Sequence, residues 1–523
     1  MSRRFCEACG REAGTADAFC AECGQRLPSL EVSPHRSAAP SPATWFTGGF
    51  RRGEPAPALP PAVPVQLWVT HSRRLSEQIG SDAAVEIRRQ LRERTGLRKQ
   101  HCALLVDLAD DFGTHAATWQ DCVEVLRTAE ARLQESVGRG FATLGLVGDE
   151  QVVPQAIFRD LTESDPQVET DAVYASLSAG DPWEEESARQ FTRAVGRLPA
   201  GSGWGVEALA HYWQNRDQAA GQPTPRSLPF GLSARCWEAA SQAVLQALGG
   251  GLVQSSPVLD HASLPGRWDT RSPWQYFNLH GAMGEPGWYG EHAGDYPVAF
   301  LPALATRLQS LNVIGVEACY GARFGGLNAD ASVLLSALSH LTVAFLGSSR
   351  IAYGPSRPPN RLADVMVRDF LLAMRQGHTA GVAHLHARHA VAESMAQPDM
   401  DPHLAIKTLL SFNLFGDPSV VMGRRPTGLG RLDAPPRVVL LDTLTPVQEA
   451  VRQSMADLEQ RLQTLLANQH PALREVRPQV SSLQGRGGPR HRWHWAASVG
   501  PLQRHWVFLT DAQGKVLGQY ESR

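Results

Sequence analysis

Between residues 65 and 421 the chain repeats one pattern: a short apolar run, then a stretch of helical length and periodicity. Val65–Thr70, Cys102–Asp107, 141–147, 276–279, 313–317 and 343–346 are runs of the first kind. Helical periodicity marks 74–95, 116–137, 185–194, 203–219, 233–249, 299–310, 329–339, 360–376, 380–396 and 402–411. Strands apolar on both faces are buried on both faces, and parallel neighbours need long crossovers between them. The expected fold class is therefore α/β, a mostly parallel sheet with helices on both faces, whose reactive groups gather at the carboxyl ends of the strands.

The regions outside this pattern are compositionally distinct. Residues 1–27 hold Cys6-Glu-Ala-Cys9-Gly and Cys20-Ala-Glu-Cys23-Gly, and residues 28–64 are rich in proline, alanine and serine. Such a segment reads as a linker, since proline cannot enter a helix interior or a central strand. The α/β region divides into a leading subdomain, 65–200, and a second, 201–425, that carries the chemistry. A Gly/Pro/Arg-rich break precedes 437–523, which has a helix at 445–467 and strands near 474–481, 491–499, 505–510 and 516–520. That tail reads as a small α+β domain with no chemistry of its own.

Two Cys-x-x-Cys turns present four thiolates to one ion, so Cys6, Cys9, Cys20 and Cys23 are expected to form a zinc ribbon. Four sulfur ligands close the coordination sphere, which makes this zinc structural. No apolar h-region precedes Cys6, and no run approaches the ~20 apolar residues of a membrane span. A cytoplasmic chain without a membrane partner is the expectation. Fifty Lys and Arg against 52 Asp and Glu give a formal charge of -2, which argues against a nucleic-acid partner. His491-Arg-Trp-His-Trp495 interleaves basic and aromatic residues, but strand alternation makes it one strand of a packed hairpin.

Two strand ends carry reactive groups. Tyr276-Phe-Asn-Leu-His280-Gly281 delivers an imidazole and then a glycine, and Val313-Ile-Gly-Val-Glu-Ala-Cys319 delivers a thiol. Adjacent parallel strands would bring His280 and Cys319 to one cleft. An imidazole supports the thiolate form in which cysteine attacks, and the amides of Gly281 and Cys319 would form an oxyanion hole. Trp274, Trp288 and Tyr289 lie close in sequence and read as core or rim. No phosphate-binding, dinucleotide or His-Glu-x-x-His motif occurs.

Phe277-Asn-Leu-His280-Gly281 and Val316-Glu-Ala-Cys319 resemble the His-Gly and Ala-Cys strand ends of gingipains, caspases and their relatives. Phe412-Asn-Leu-Phe-Gly416-Asp417-Pro418-Ser419-Val420 resembles the segment that closes the gingipain catalytic domain, and Val343-Ala-Phe-Leu-Gly347-Ser348-Ser349 the strand after its nucleophile. Leu146-Val-Gly-Asp149, Thr170-Asp-Ala-Val-Tyr174 and Val195-Gly-Arg-Leu-Pro199 resemble its leading subdomain.

The resemblance implies a cysteine endopeptidase acting on protein or peptide substrates. Cys319 would be the nucleophile, His280 the acid and base, Gly281 an oxyanion amide, and Ser348, Ser349 and Arg350 part of the substrate groove. Asp260 and Asp269 are candidates for the pocket acid of the arginine-selective gingipains, with Glu291 and Asp295 as further candidates. Glu317 would orient His280 or point away from it, and Asp417 would cap a turn. If specificity is basic, Gly49-Phe-Arg-Arg52 offers a self-cleavage site. Gingipains are secreted and bind calcium, whereas this chain has cysteine knuckles and no apolar leader. The competing expectation is an inactive scaffold of the same fold that binds partners through its zinc ribbon and tail.

Overall fold

A computed structural model describes Arg4–Phe5, Glu12–Ala13 and residues 64–97, 102–109, 116–251, 253–423, 443–485 and 488–523. Cys6, Cys9, Cys20, Cys23 and Gly49-Phe-Arg-Arg52 lie outside the described residues. The chain divides into two units, Met1–Ala56 and Pro57–Arg523, and the second holds every element from Val65 onward.

The apolar runs become an eleven-stranded sheet. From one edge its order is Val253–Ser256, Phe230–Ala234, Trp274–Asn278, Asn312–Val316, Thr342–Ser348, Phe412–Gly416, Ala194–Leu198, Thr143–Val147, Val65–Thr70, Cys102–Asp107 and Gly96–Leu97. The sheet is two parallel blocks joined at one antiparallel pair, where Ala344 faces Gly416. At the far edge, Gly96–Leu97 also runs antiparallel. Strands such as Asn312–Val316 and Thr342–Ser348 are buried along their whole length, as expected with helices on both faces. Asp417 accepts from the Ser419 amide and pairs with Arg216, which secures the chain after Phe412–Gly416.

Several expected elements take another form. The helix expected over 74–95 is two, Ser72–Ile79 and Ser81–Glu93, separated at Gly80. The helix expected over 233–249 begins later, because Phe230–Ala234 is a strand inside the sheet, Arg235–Trp237 a short 3-10 turn, and only Glu238–Ala247 is α-helical. The one expected over 299–310 is a short strand, Val298–Phe300, followed by a single turn, Pro302–Ala305. Residues 185–194 hold only the short turn Glu186–Arg189. Composition alone does not separate short apolar strands from buried helix segments.

The tail forms an antiparallel sheet: Thr443–Pro446, Gln479–Gly485, Gly488–Val499, Leu502–Asp511 and Val516–Ser522. Its helical part is Glu449–Ser454 and Ala456–Gln469. Trp493, Trp495, Trp506 and Phe508 pack against Leu458, Leu462 and Leu466 in a core of its own. The opposite face of the Gly488–Val499 strand is buried too, with Arg492 on Asp401 and His494 against His505. A sixth strand completes this sheet. It is Tyr353–Gly354, from the chain that follows Thr342–Ser348.

Candidate active site

Trp274–Asn278 pairs in parallel with Asn312–Val316, with Phe277 opposite Val316. Three residues further along each strand are His280 and Cys319, so the register brings both to the same level at the carboxyl edge. Their backbones touch: a Cβ added to Gly281 would lie 1.6 Å from the Cys319 carbonyl oxygen. Only glycine permits that approach. Tyr320, next in sequence, adopts a left-handed φ of 53°. Its hydroxyl donates to Asp165, and its amide donates to the Arg350 carbonyl at 3.1 Å.

His280 is wholly buried. Its Nε2 lies 2.7 Å from Glu291 Oε2, and its ring is 4.2 Å from the Trp237 ring centroid. Its Nδ1 has no hydrogen-bond partner among the described residues. Arg504, from the tail strand Leu502–Asp511, reaches into the same site. Its Nη1 is 2.6 Å from Glu291 Oε2, 3.2 Å from His280 Nε2 and 3.0 Å from the Tyr296 hydroxyl. Burial, and then the Arg504 charge, lower the His280 pKa from 6.5 to about 3, against the pull of Glu291. Burial likewise pushes the Cys319 thiol up to about 12. The pair as it stands is neutral thiol and neutral imidazole.

Cys236, His280 and Glu291 place three ligand-type atoms within 4.8 Å of one another. Such a set can hold a metal ion, but here a guanidinium already sits at hydrogen-bond distance from two of the three. A second cation would face Arg504 directly, so the arrangement suits the resident guanidinium.

The Cys319 amide donates to the main-chain oxygen of Arg523 at 3.2 Å, and the Arg523 amide donates to the Ala352 carbonyl at 3.0 Å. Ser522 and Glu521 pair antiparallel with Tyr353 and Gly354. The Arg523 side chain is fully buried. Its Nη2 is 2.7 Å from Asp364 Oδ1 and 2.9 Å from the Pro355 carbonyl, and its Nε is 3.6 Å from Glu317 Oε2. Its guanidinium lies over the Trp237 ring at 4.4 Å. Burial and the adjoining Asp364 charge push the Glu317 carboxyl well above the ordinary value, against the pull of Arg523.

Several sequence candidates are placed elsewhere. The carboxylate of Asp260 accepts from the amides of Ala262 and Ser263 in its own turn, and exposed Asp269 accepts from the Arg271 amide. Each is used locally as a turn cap, and the acids that meet a buried guanidinium beside Cys319 are Glu317 and Asp364. Glu291, another pocket candidate, orients His280 instead, while Glu317 turns from His280 to the Tyr276 hydroxyl and Arg523. Ser348 and Ser349 direct their hydroxyls to backbone carbonyls, Ser348 to Arg350 and Ser349 to Glu169 and Ser411. The edge that pairs with an extended segment is further on, at 352–354. Trp274 is core, and Trp288 stacks on Phe300.

On the other side of Cys319 an open cavity of about 220 Å³ is lined by residues including Gly281, Trp288, Tyr320, Arg323 and Ser332. Arg504, Arg523 and Asp364 had no local signal in the sequence. They reach the site from 185, 204 and 45 residues beyond Cys319 (504 − 319, 523 − 319, 364 − 319).

No protein-family model matches the chain, and no curated protein matches it. Among solved structures it is similar to a protease, with 13% identity, a TM-score of 0.48, and 89% of this chain and 92% of that one covered. It is also similar to the Arg-specific cysteine proteinase gingipain R, with 13% identity, a TM-score of 0.46, and 88% and 98% covered. A complex of the RgpB pro- and mature domains from Porphyromonas gingivalis gives 12% identity, a TM-score of 0.44, and 86% and 97% covered.

Proposed function

We propose that this chain is a cysteine endopeptidase of the gingipain–caspase type, with Cys319 as nucleophile and His280 as acid and base. One observation carries the reading: the amide of Cys319 already holds a main-chain oxygen, that of Arg523, at the strand end where His280 stands level with it. The backbone of Gly281 lies against this point and supplies the second wall of an oxyanion site.

A substrate would lie as an added strand along 352–354, as residues 521–523 lie now. With the cleft solvated, His280 takes the thiol proton and Cys319 Sγ attacks the carbonyl carbon. The carbon–nitrogen bond breaks as the imidazolium protonates the leaving amine, giving a thioester. Water then attacks that thioester, its proton passing to His280, and the acyl half leaves as a carboxylate with the thiol restored. Glu291 holds Nε2 and leaves Nδ1 to serve these transfers.

The substrates are proteins or peptides and the setting is cytoplasmic. A structural zinc on Cys6, Cys9, Cys20 and Cys23 would make residues 1–27 a docking module for a protein partner. Cys319→Ala is expected to abolish hydrolysis of a fluorogenic peptide library while the zinc content per chain stays the same. Full hydrolysis by that variant overturns the nucleophile assignment. Chelation is expected to unfold residues 1–27 and to spare turnover.

A further inference from the structure

The half of the cleft that would receive the acyl side of a substrate is occupied by this chain itself. An incidental contact between a tail and a cleft needs only side chains to meet. Here the main chain is engaged as well: Arg523 offers its main-chain oxygen to the Cys319 amide and donates its amide to the Ala352 carbonyl, and two further residues continue the pairing onto Tyr353 and Gly354. That is the hydrogen-bonding pattern of an added strand that presents a carbonyl to a nucleophile.

The side-chain pocket is equally specific. Two carboxylates from separate elements, Glu317 beside the nucleophile and Asp364 in the helix Ala363–Arg375, face one guanidinium, and the Pro355 carbonyl takes a third contact. The Trp237 ring covers the guanidinium plane. A Cβ at Gly354 would lie 2.1 Å from Nη2, so glycine there keeps the pocket open. A planar fork with several donors and a stackable face fits this set, and a lysine ammonium would satisfy only part of it.

We propose that Val516–Ser522 with Arg523 is a built-in occupant of the cleft that takes the place of a substrate, and that the pocket it fills selects arginine through Glu317 and Asp364. The inference rests on the peptidase reading of the same site. Arg504 is the second point of the latch. It sits beside the Glu291–His280 pair, within hydrogen-bond distance of both, where a working imidazole would have to change its charge. No described residue of the tail lines the cavity at Cys319.

The test uses the full chain with Arg523→Ala. Emptying the pocket leaves two buried acids without their cation, so the variant is expected to melt lower than wild type. Millimolar ethylguanidinium is expected to restore several degrees, butylamine little, and wild type should respond to neither. Hydrolysis of a peptide with arginine before the scissile bond is expected to rise at least tenfold over wild type, and that of the leucine analogue not to rise.

A variant indifferent to ethylguanidinium overturns the pocket, and wild type that cleaves the arginyl peptide as fast as the variant overturns the occlusion. Rescue by ethylguanidinium with no cleavage by either protein upholds the pocket and the occupant, and defeats the peptidase reading instead. Should Arg523→Ala not fold, Asp364→Asn gives the same decision. Amide exchange at 519–522 is expected to quicken at least tenfold in that variant, and unchanged exchange overturns the proposal.

Discussion

Lys407 and Arg523 are both cations buried among two carboxylates, yet their surroundings differ in one respect. Lys407 Nζ reaches Asp160 at 2.7 Å, Asp165 at 2.6 Å, and the hydroxyls of Ser164 and Thr162. Asp165 in turn accepts from Tyr320 and from the Ile351 amide, so this cluster braces the chain on both sides of the cleft. Burial raises the Asp160 carboxyl, but Lys407 outweighs it and holds that group at about 2. Arg523 is as buried, but its Nη1 and Nε lack hydrogen bonds among the described residues, and it arrives on a strand from the tail. A cation that serves the fold is fully satisfied by its own neighbours. Arg523, the occupant proposed above, leaves part of its guanidinium without hydrogen bonds among the described residues.

That contrast makes the largest expected stability effect Lys407→Met. Removing the cation strands Asp160 and Asp165 in the interior, with an expected loss of ~3–5 kcal/mol in unfolding free energy. Chemical denaturation measures it, and a loss well below that of Arg523→Ala would reverse the order of the two cations.

The next effect is set by pH. In the closed cleft His280 is held at about 3, facing Glu291, Arg504, Tyr296, Trp237 and Cys236. Once exposed it returns to its ordinary value, so the open or unfolded chain binds more protons below pH 6.5. The closed state therefore keeps its stability above that pH and loses it as pH falls, by about 2 kcal/mol between pH 7 and 5. Glu291, held below the ordinary value by Arg504 against burial, adds to this loss below its usual titration range. Glu317, shifted upward, opposes it. Denaturation midpoints of wild type and His280→Asn at the two pH values test the sign, because the variant should lose less on acidification.

The smallest effect belongs to a pair outside both sites. Arg73 and Glu77 are 64% and 63% exposed, and Arg73→Ala should shift stability by no more than ~0.5 kcal/mol. A larger shift would mean that exposed pairs here couple to the fold.

The sheet was legible because a parallel strand buried on both faces must be apolar throughout, and Val313-Ile-Gly-Val and Val343-Ala-Phe-Leu meet that demand without ambiguity. Phe230–Ala234 was hidden because Phe-Gly-Leu-Ser-Ala runs into a helical pattern with no break. Candidate residues at strand ends, His280 and Cys319, were also legible, since local chain direction alone predicts where such an end points. The acids were not. A carboxylate's partner is set by what folds over it, so Asp260 reads as well as Asp364 until the first is seen capping its own turn.

By itself the sequence determined the alternation of strands and helices, the strand ends at which an imidazole and a thiol emerge, and the four-cysteine spacing near the start. Those are consequences of periodicity and short range, which each segment carries within itself. Tertiary structure alone decided that Glu291 belongs to His280, that Glu317 and Asp364 share a guanidinium, and that a tail without evident chemistry lies against Cys319. His280 and Glu291 are only 11 residues apart, whereas the other contacts join residues far apart in the chain, and all of them depend on how the elements pack rather than on any local pattern.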